Sequence, residues 1–173
     1  MNHQELIPIV PKRGIARGTS YAPVKFVGED WRPSRDDQPM LLAVANNTGT
    51  IGRLRDPEDR PLLTYGSNHQ HIILHFDWPS IPSQTYRINI RNGHISRKEL
   101  LKQVGQKFDE FLRGSGLGNS RMLTVTLPSS NGSSELQIIT WTSAYIYQIY
   151  HCADDIWEAD IRVNPAVVLE RVH

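Results

Sequence analysis

The chain has 173 residues, 39% of them hydrophobic and 21% charged, with a formal net charge of +1. These values suit one globular domain and provide no general electrostatic field for nucleic acid or an anionic membrane. A single cysteine excludes an internal disulfide, Met1–Val10 does not resemble a signal peptide, and no stretch reaches the roughly 20 apolar residues of a membrane helix. We therefore expect a protein of the cytoplasm or the nucleus.

The N-terminal third differs from the rest of the chain because residues 1–60 hold six of the 11 prolines. Proline fixes φ and removes a backbone donor, so regular structure is interrupted repeatedly. We predict a proline-rich, partly disordered or draped arm over residues 1–60 and a globular domain over residues 61–173. Met1–Ser20 is predicted to be dispensable for folding, and Met40–Ala45 is compatible with a strand or a short helix.

Two strands are predicted at the start of the globular domain. Ile72–Phe76 is a short apolar run, which Asp77–Ser80 ends with turn-forming residues. Apolar and polar residues alternate in Tyr86–Arg91, as expected for a strand with one buried and one solvated face. Asn92-Gly93 then predicts a turn.

The clearest local pattern predicts a helix over Ser96–Arg113. Ser96 and Glu99 have the spacing of a capping box, in which each side chain satisfies a free backbone N–H group at the helix start. Apolar residues then recur at helical spacing and form one stripe: Leu100, Leu101, Val104, Phe108, Phe111 and Leu112. A cation and a glycine close the pattern.

The C-terminal part predicts further strands. Met122–Leu127 and Leu136–Trp141 flank a polar turn and indicate a hairpin. Ser143–Cys152 is ambiguous, whereas Trp157–Val163 alternates as an amphipathic strand with Trp157 in the core. Because helices and strands do not alternate regularly, we predict an α+β fold, with a mostly antiparallel sheet and one main amphipathic helix packed on it.

Three histidines suggest metal binding as one possible function. His69, His71 and His75 would project to one face of a continuous strand, and two imidazoles one residue apart can bind the same zinc, iron or nickel ion. His75 would lie about 13 Å from His71 along such a strand, too far to join the same site. A third ligand would have to come from elsewhere, and His94 and His151 are the candidates.

Other polar residues do not form a recognisable catalytic motif. Cys152 and His151 are adjacent, so on a strand they point to opposite faces, and Cys152 is expected to be a buried, inert thiol. The acidic patch of Asp154, Asp155, Glu158 and Asp160 is interpreted as a solvated edge. Since nucleotide-binding and nucleophile motifs are lacking, we assign no catalytic residue and no cofactor.

Four motifs in order resemble an uncharacterised family of domains found in fungi, especially mushroom-forming basidiomycetes. They are Pro61–Tyr65, Phe76–Pro79, Ile95–Leu100 and Trp157–Val163. The resemblance spans about Pro61–Val163 and implies no activity, so it assigns no functional residue.

The sequence favours a non-enzymatic binding or protein-interaction module whose ligand is unknown. The alternative is a metal-binding protein or metal-dependent enzyme that uses His69 and His71. A protein partner is expected, and no strong signal for nucleic acid is present.

Overall fold

The structure, a computed structural model, describes residues 7–8, 21–28, 40–41, 53–78, 81–114, 122–128, 134–140 and 144–163. Several predictions concern other residues. Most of the Met1–Ser20 arm, residues 79–80 and the hairpin turn after Pro128 lie outside the described residues. The prediction that a turn begins at Asp77 is wrong, because Asp77 and Trp78 still belong to the strand that contains Ile72–Phe76.

The described strands form a main sheet and a separate hairpin. They are β1 (Ile7–Pro8), β2 (Val24–Lys25), β3 (Met40–Leu41), β4 (His71–Trp78), β5 (Ile81–Asn89), β6 (Met122–Pro128), β7 (Ser134–Thr140), β8 (Ala144–Ala153) and β9 (Ile156–Val163). The main sheet has the order β2-β8-β9-β4-β5, with β3 also paired to β8 and β1 to β9, while β6 and β7 pair with each other. This arrangement confirms the predicted α+β class and shows that Ala144–Ala153, most of the segment left ambiguous by the sequence, is an interior strand.

The sheet is mostly antiparallel, as predicted, with one parallel contact. β4 runs parallel to β9, with His75 in register with Glu158, and both strands have antiparallel neighbours on their other sides. The parallel pair joins two halves of the sheet that are distant in sequence.

Within the described ranges, three helical segments accompany the sheet: α1 (Leu63–Gly66), a 3-10 turn (Arg91–Gly93) and α2 (Arg97–Gly114). The predicted main helix is confirmed to within one residue at each end. The Ser96 hydroxyl accepts a hydrogen bond from the Glu99 N–H at 3.3 Å. The Glu99 carboxylate instead accepts from Arg91 at 3.0 Å, so only the serine half of the predicted capping box forms.

The hydrophobic core lies between α2 and one face of the sheet. Phe108 of α2 is fully buried, and its ring lies 5.6 Å from Phe76 and 6.1 Å from Trp78, measured between ring centres. The even-numbered residues of β4 face this core, whereas its odd-numbered residues are half-buried on the other side. The predicted apolar stripe therefore faces the sheet.

Residues on both sides of the predicted boundary at residue 60 contribute side chains to the core. Phe26 and Leu54 are completely buried in the same cluster as Phe108. The Phe26 N–H donates to the Tyr147 carbonyl of β8 at 2.9 Å. Met40–Leu41 forms a strand rather than a helix, also paired with β8.

We use the term polar face for the side of the sheet opposite α2. Polar side chains on this face from β4, β8 and β9 include His71, His75, Gln148, Tyr150, Cys152, Glu158, Asp160 and Arg162, and apolar residues such as Ile73 and Ile156 lie among them. Among the residues that the structure describes, no helix has the length and apolar character needed to cross a lipid bilayer.

Candidate functional site

The three candidate histidines do not share one strand. β4 begins at His71, so His71 and His75 lie on the polar face as predicted. His69 precedes the strand, and its ring stacks on Tyr65 of α1 with 4.4 Å between ring centres. The expectation of three imidazoles on one continuous strand is wrong for His69, because the chain leaves α1 through an irregular connection before β4 starts.

His69 and His71 have different partners. His69 Nδ1 lies 3.0 Å from the Tyr65 carbonyl oxygen. Because a carbonyl only accepts, Nδ1 carries the hydrogen, and Nε2 of a neutral His69 is an acceptor. His71 Nε2 lies 3.7 Å from the Asp155 carboxylate.

Tertiary structure brings His151 to the same region but not His94. The His151 ring lies 5.8 Å from Tyr65, the tyrosine on which His69 stacks, and its Nε2 donates to the Asp154 carbonyl at 2.9 Å. His94 instead lies 3.2 Å from the Arg60 guanidinium. No group of three or more histidine, cysteine or acidic side chains with metal-binding geometry occurs within the described ranges.

A buried polar cluster occupies the centre of the polar face. Glu158 is only 2% exposed, and its Oε2 accepts a hydrogen bond from the Tyr150 hydroxyl at 2.5 Å. Its Oε1 lies 3.7 Å from His75 Nδ1. Neither Glu158 Oε1 nor His75 Nδ1 has a hydrogen-bond partner, although buried polar atoms normally have one.

Strand register explains this cluster. Glu158 lies on β9, directly beside His75 of β4 and directly opposite Tyr150 of β8. Residues in register on neighbouring strands project to the same face. Three strands therefore place the three side chains in one row across the sheet.

The solvated edge predicted for the acidic patch is wrong for Glu158. Asp154 is exposed, and Asp155 and Asp160 are half-buried, but Glu158 is buried. The reason is that side chains from two neighbouring strands, Tyr150 and Cys152 of β8 and His75 of β4, surround its carboxylate, which its sequence alone does not indicate.

Cys152 completes the surroundings of the cluster. It is a buried thiol, as predicted, and its Sγ lies 3.9 Å from Glu158 Oε2. His151 points to the other face, where its ring lies 5.4 Å from Trp157. The adjacent cysteine and histidine therefore do not form a nucleophile–base pair, in agreement with the prediction from strand alternation.

The arrangement favours a group that donates hydrogen bonds. Glu158 Oε1 is an acceptor in the ionised carboxylate, and the nearby Asp160 already binds Gln148 at 3.3 Å and Arg162 at 3.4 Å. An ionised carboxylate in a low-dielectric environment is strongly stabilised by a positive partner. A cationic donor is therefore the chemical class of partner that Glu158 Oε1 would accept.

Sequence patterns did not identify Glu158 and Tyr150 as site residues. The usable signal was their separation of eight residues across the Asp154-Asp155 turn, which places them on one face of a hairpin. His75 could not be added to them from sequence, because its strand lies far away along the chain.

The fold and the cluster together define an α+β protein with an acid–histidine–tyrosine row on the sheet face opposite its main helix. Comparison with protein-family models, curated proteins and solved structures finds no match to the chain.

Proposed function

We propose that the protein is a non-enzymatic binding module and that Glu158, His75 and Tyr150 form its recognition site. The observation that supports this most directly is the pair of buried atoms Glu158 Oε1 and His75 Nδ1, which lie 3.7 Å apart without hydrogen bonds. Leaving such groups unsatisfied costs about 1–3 kcal/mol each. A bound ligand that contacts both would recover this free energy.

The ligand group that fits is a guanidinium or an ammonium. Both donate several hydrogen bonds and carry a positive charge, and charge-assisted hydrogen bonds to a carboxyl group are the stronger ones. In a protein partner these groups belong to arginine and lysine, which connects the site with the predicted protein-interaction role. The lack of a reaction motif in the sequence supports binding rather than catalysis.

The test uses methylguanidinium, the smallest mimic of an arginine side chain, titrated into the full chain while backbone amide resonances are followed by NMR. We expect saturable shifts centred on His75, Tyr150 and Glu158. Tetramethylammonium has the same charge but donates no hydrogen bond, so it should bind much more weakly.

Two variants make this test specific. Glu158→Gln removes the charge and retains the side-chain shape, and it should weaken methylguanidinium binding at least about tenfold. Asp154→Asn makes the same charge change at an exposed residue and should bind as the wild type does. Equal binding by Glu158→Gln and wild type, or no binding by either, would contradict the proposal.

Metal binding through His69 and His71 is the rival proposal. One observation favours His69 as a ligand: its Nδ1 bonds to the Tyr65 carbonyl, the arrangement that orients metal-binding histidines through the other nitrogen. Near-stoichiometric zinc or iron in the purified protein, lost on changing His69 and His71 to Ala, would support the rival. From the sequence we also propose that the protein lies in the cytoplasm or the nucleus and that it is related to the fungal domain family. Neither proposal affects the choice between the two binding functions.

A further inference from the structure

β4 carries two histidines on the polar face, and each lies at the same distance from a carboxylate. His71 Nε2 is 3.7 Å from Asp155, and His75 Nδ1 is 3.7 Å from Glu158 Oε1. The side chains of the first pair are 33% and 39% exposed, whereas those of the second pair are 12% and 2% exposed. Water and salt therefore screen the first pair, while a charge at the second pair acts in a low-dielectric environment.

His75 can itself provide the cation that the Glu158 carboxylate would accept. Histidine is the side chain whose charge ordinarily changes between about pH 5 and pH 8, and a protonated imidazole donates hydrogen bonds from both ring nitrogens. The 3.7 Å between His75 Nδ1 and Glu158 Oε1 is too long for a hydrogen bond, but a movement of less than about 1 Å would form one. Both atoms are buried without hydrogen-bond partners, so this contact would satisfy both.

The other ionisable groups around His75 do not take the place of Glu158. In the described part of the chain, those near His75 on this face are Glu158, Asp160 and Arg162 of β9, Tyr150 and Cys152 of β8, Arg87 of β5, and His71 and Asp77 of β4. Thr85, directly opposite His75 on β5, is uncharged. Asp77 accepts a hydrogen bond from Ser83 at 2.8 Å. The carboxylate that an imidazolium at His75 meets is therefore that of Glu158, in register with it on β9.

We propose that His75 is a pH-dependent switch for cation binding at Glu158, an inference that rests on the proposed function. While His75 is neutral, the Glu158 carboxylate binds a guanidinium or ammonium group of the partner. When His75 takes up a proton from solvent, its imidazolium pairs with Glu158 Oε1 and replaces the cation of the partner. The partner is thus bound at neutral pH and released as the pH falls.

Linkage between the proton and the ligand sets the direction of this effect. A ligand that binds the site with neutral His75 displaces the proton, so its affinity falls as the pH falls through the range in which imidazoles become charged. Repulsion between an imidazolium and a neighbouring guanidinium acts in the same direction. His71 should contribute much less, because the His71–Asp155 pair is more exposed.

The first test measures methylguanidinium binding to the full chain by NMR at about pH 7.5 and about pH 5.5, which lie on either side of the usual imidazole titration. We expect the affinity of the wild type to fall at least about tenfold between these conditions. His75→Asn keeps a polar side chain that cannot become charged, and its affinity should change less than about twofold. His71→Asn is the matched control on the same face of β4, and it should retain the fall seen in the wild type.

The second test uses the wild type alone and does not depend on the folding of a variant. At about pH 6, the ring resonances of His75 should move towards those of the neutral imidazole as methylguanidinium is added, while those of His71 should change little.

The outcomes separate this inference from the proposed function. Equal wild-type affinity at both pH values, an equal fall in His75→Asn, or His75 resonances that do not respond to the ligand would overturn the switch and leave cation binding at Glu158 intact. A lack of methylguanidinium binding at about pH 7.5 would contradict the proposed function and overturn the switch with it.

Discussion

Tyr65 connects α1 with the turn between β8 and β9. Its hydroxyl donates to the Asp154 carbonyl at 3.2 Å, and its ring makes edge contacts with Tyr21 and Trp157. Asp154 has a positive φ of 50°, a conformation that non-glycine residues adopt infrequently. Hydrogen bonds from Tyr65 and His151 to the Asp154 carbonyl hold this turn in place.

The buried phenol of Tyr65 lowers the free energy of unfolding at alkaline pH. Burial raises the pKa of Tyr65 above its ordinary value of 10.0, aided by the charges of Asp155 and Asp154 against an opposing effect of Trp157. Above about pH 10 the unfolded chain loses the phenolic proton while the folded chain retains it, so unfolding becomes more favourable. The stabilising contribution is therefore complete below that pH and is lost as pH rises towards the folded-state pKa.

We expect Tyr65→Phe to reduce this pH dependence. Urea unfolding between about pH 9 and pH 11 should show a smaller decline in the free energy of unfolding for the variant than for wild type. At pH 7 the variant should be only modestly less stable, because one hydrogen bond contributes about 1 kcal/mol. Identical slopes for the two proteins would show that Tyr65 does not titrate differently in the folded state.

At the scale of elements, α1 crosses the 3-10 turn at a pair of glycines. A Cβ at Gly66 would lie 2.1 Å from the Gly93 nitrogen, and Gly93 itself has a φ of +84°. The two backbones thus approach more closely than any side chain allows. This contact fixes α1, and with it Tyr65 and His69, against the end of β5.

Gly66→Ala should therefore be strongly destabilising. The added methyl group meets backbone atoms that cannot move aside, and overpacking of this kind costs about 1–3 kcal/mol or more. Gly114→Ala is the matched control, because the nearest described atoms to its Cβ would belong to the flexible Gln84 side chain, at 3.5 Å. Thermal unfolding compares the two variants, and Gly66→Ala should have the lower melting temperature. Equal melting temperatures would contradict the close approach of the two backbones.

The packing of α2 on the sheet can be tested by contrasting its two sides. Phe108 is fully buried against Phe76 and Trp78, whereas Lys102 is exposed. Phe108→Ala should cost about 3–5 kcal/mol through lost burial and a cavity. Lys102→Ala should remain within about 0.5 kcal/mol of wild type in denaturant melts. Comparable losses for both would mean that the buried side of the helix is misassigned.

At the scale of the whole molecule, the N-terminal segment contributes unequally to stability. Ile7–Pro8 pairs with only two residues of β9, whereas Phe26 and Leu54 are buried in the main core. A short terminal pairing adds little, while a large buried ring adds several kcal/mol.

Deletion of Met1–Ser20 is therefore expected to lower the melting temperature by no more than about 4 °C, equivalent to about 1 kcal/mol for a chain of this size. Phe26→Ala should cost about 3–5 kcal/mol. Calorimetry of the two proteins provides the comparison. A large loss on truncation would show that the first twenty residues contribute to the core.

Local sequence was sufficient for the features that depend on neighbouring residues. The α2 helix follows from apolar spacing and the Ser96 cap, and the opposite directions of His151 and Cys152 follow from strand alternation. The faces of β4 and β9 were predictable for the same reason. Each of these properties is set by backbone periodicity within one element.

Only the tertiary structure decided what each element packs against. The parallel pairing of β4 with β9 places His75 beside Glu158, and the Gly66–Gly93 crossing positions Tyr65 between His69 and His151. These contacts join residues far apart in sequence, and their formation depends on the free energy of the whole sheet and core rather than on any local pattern.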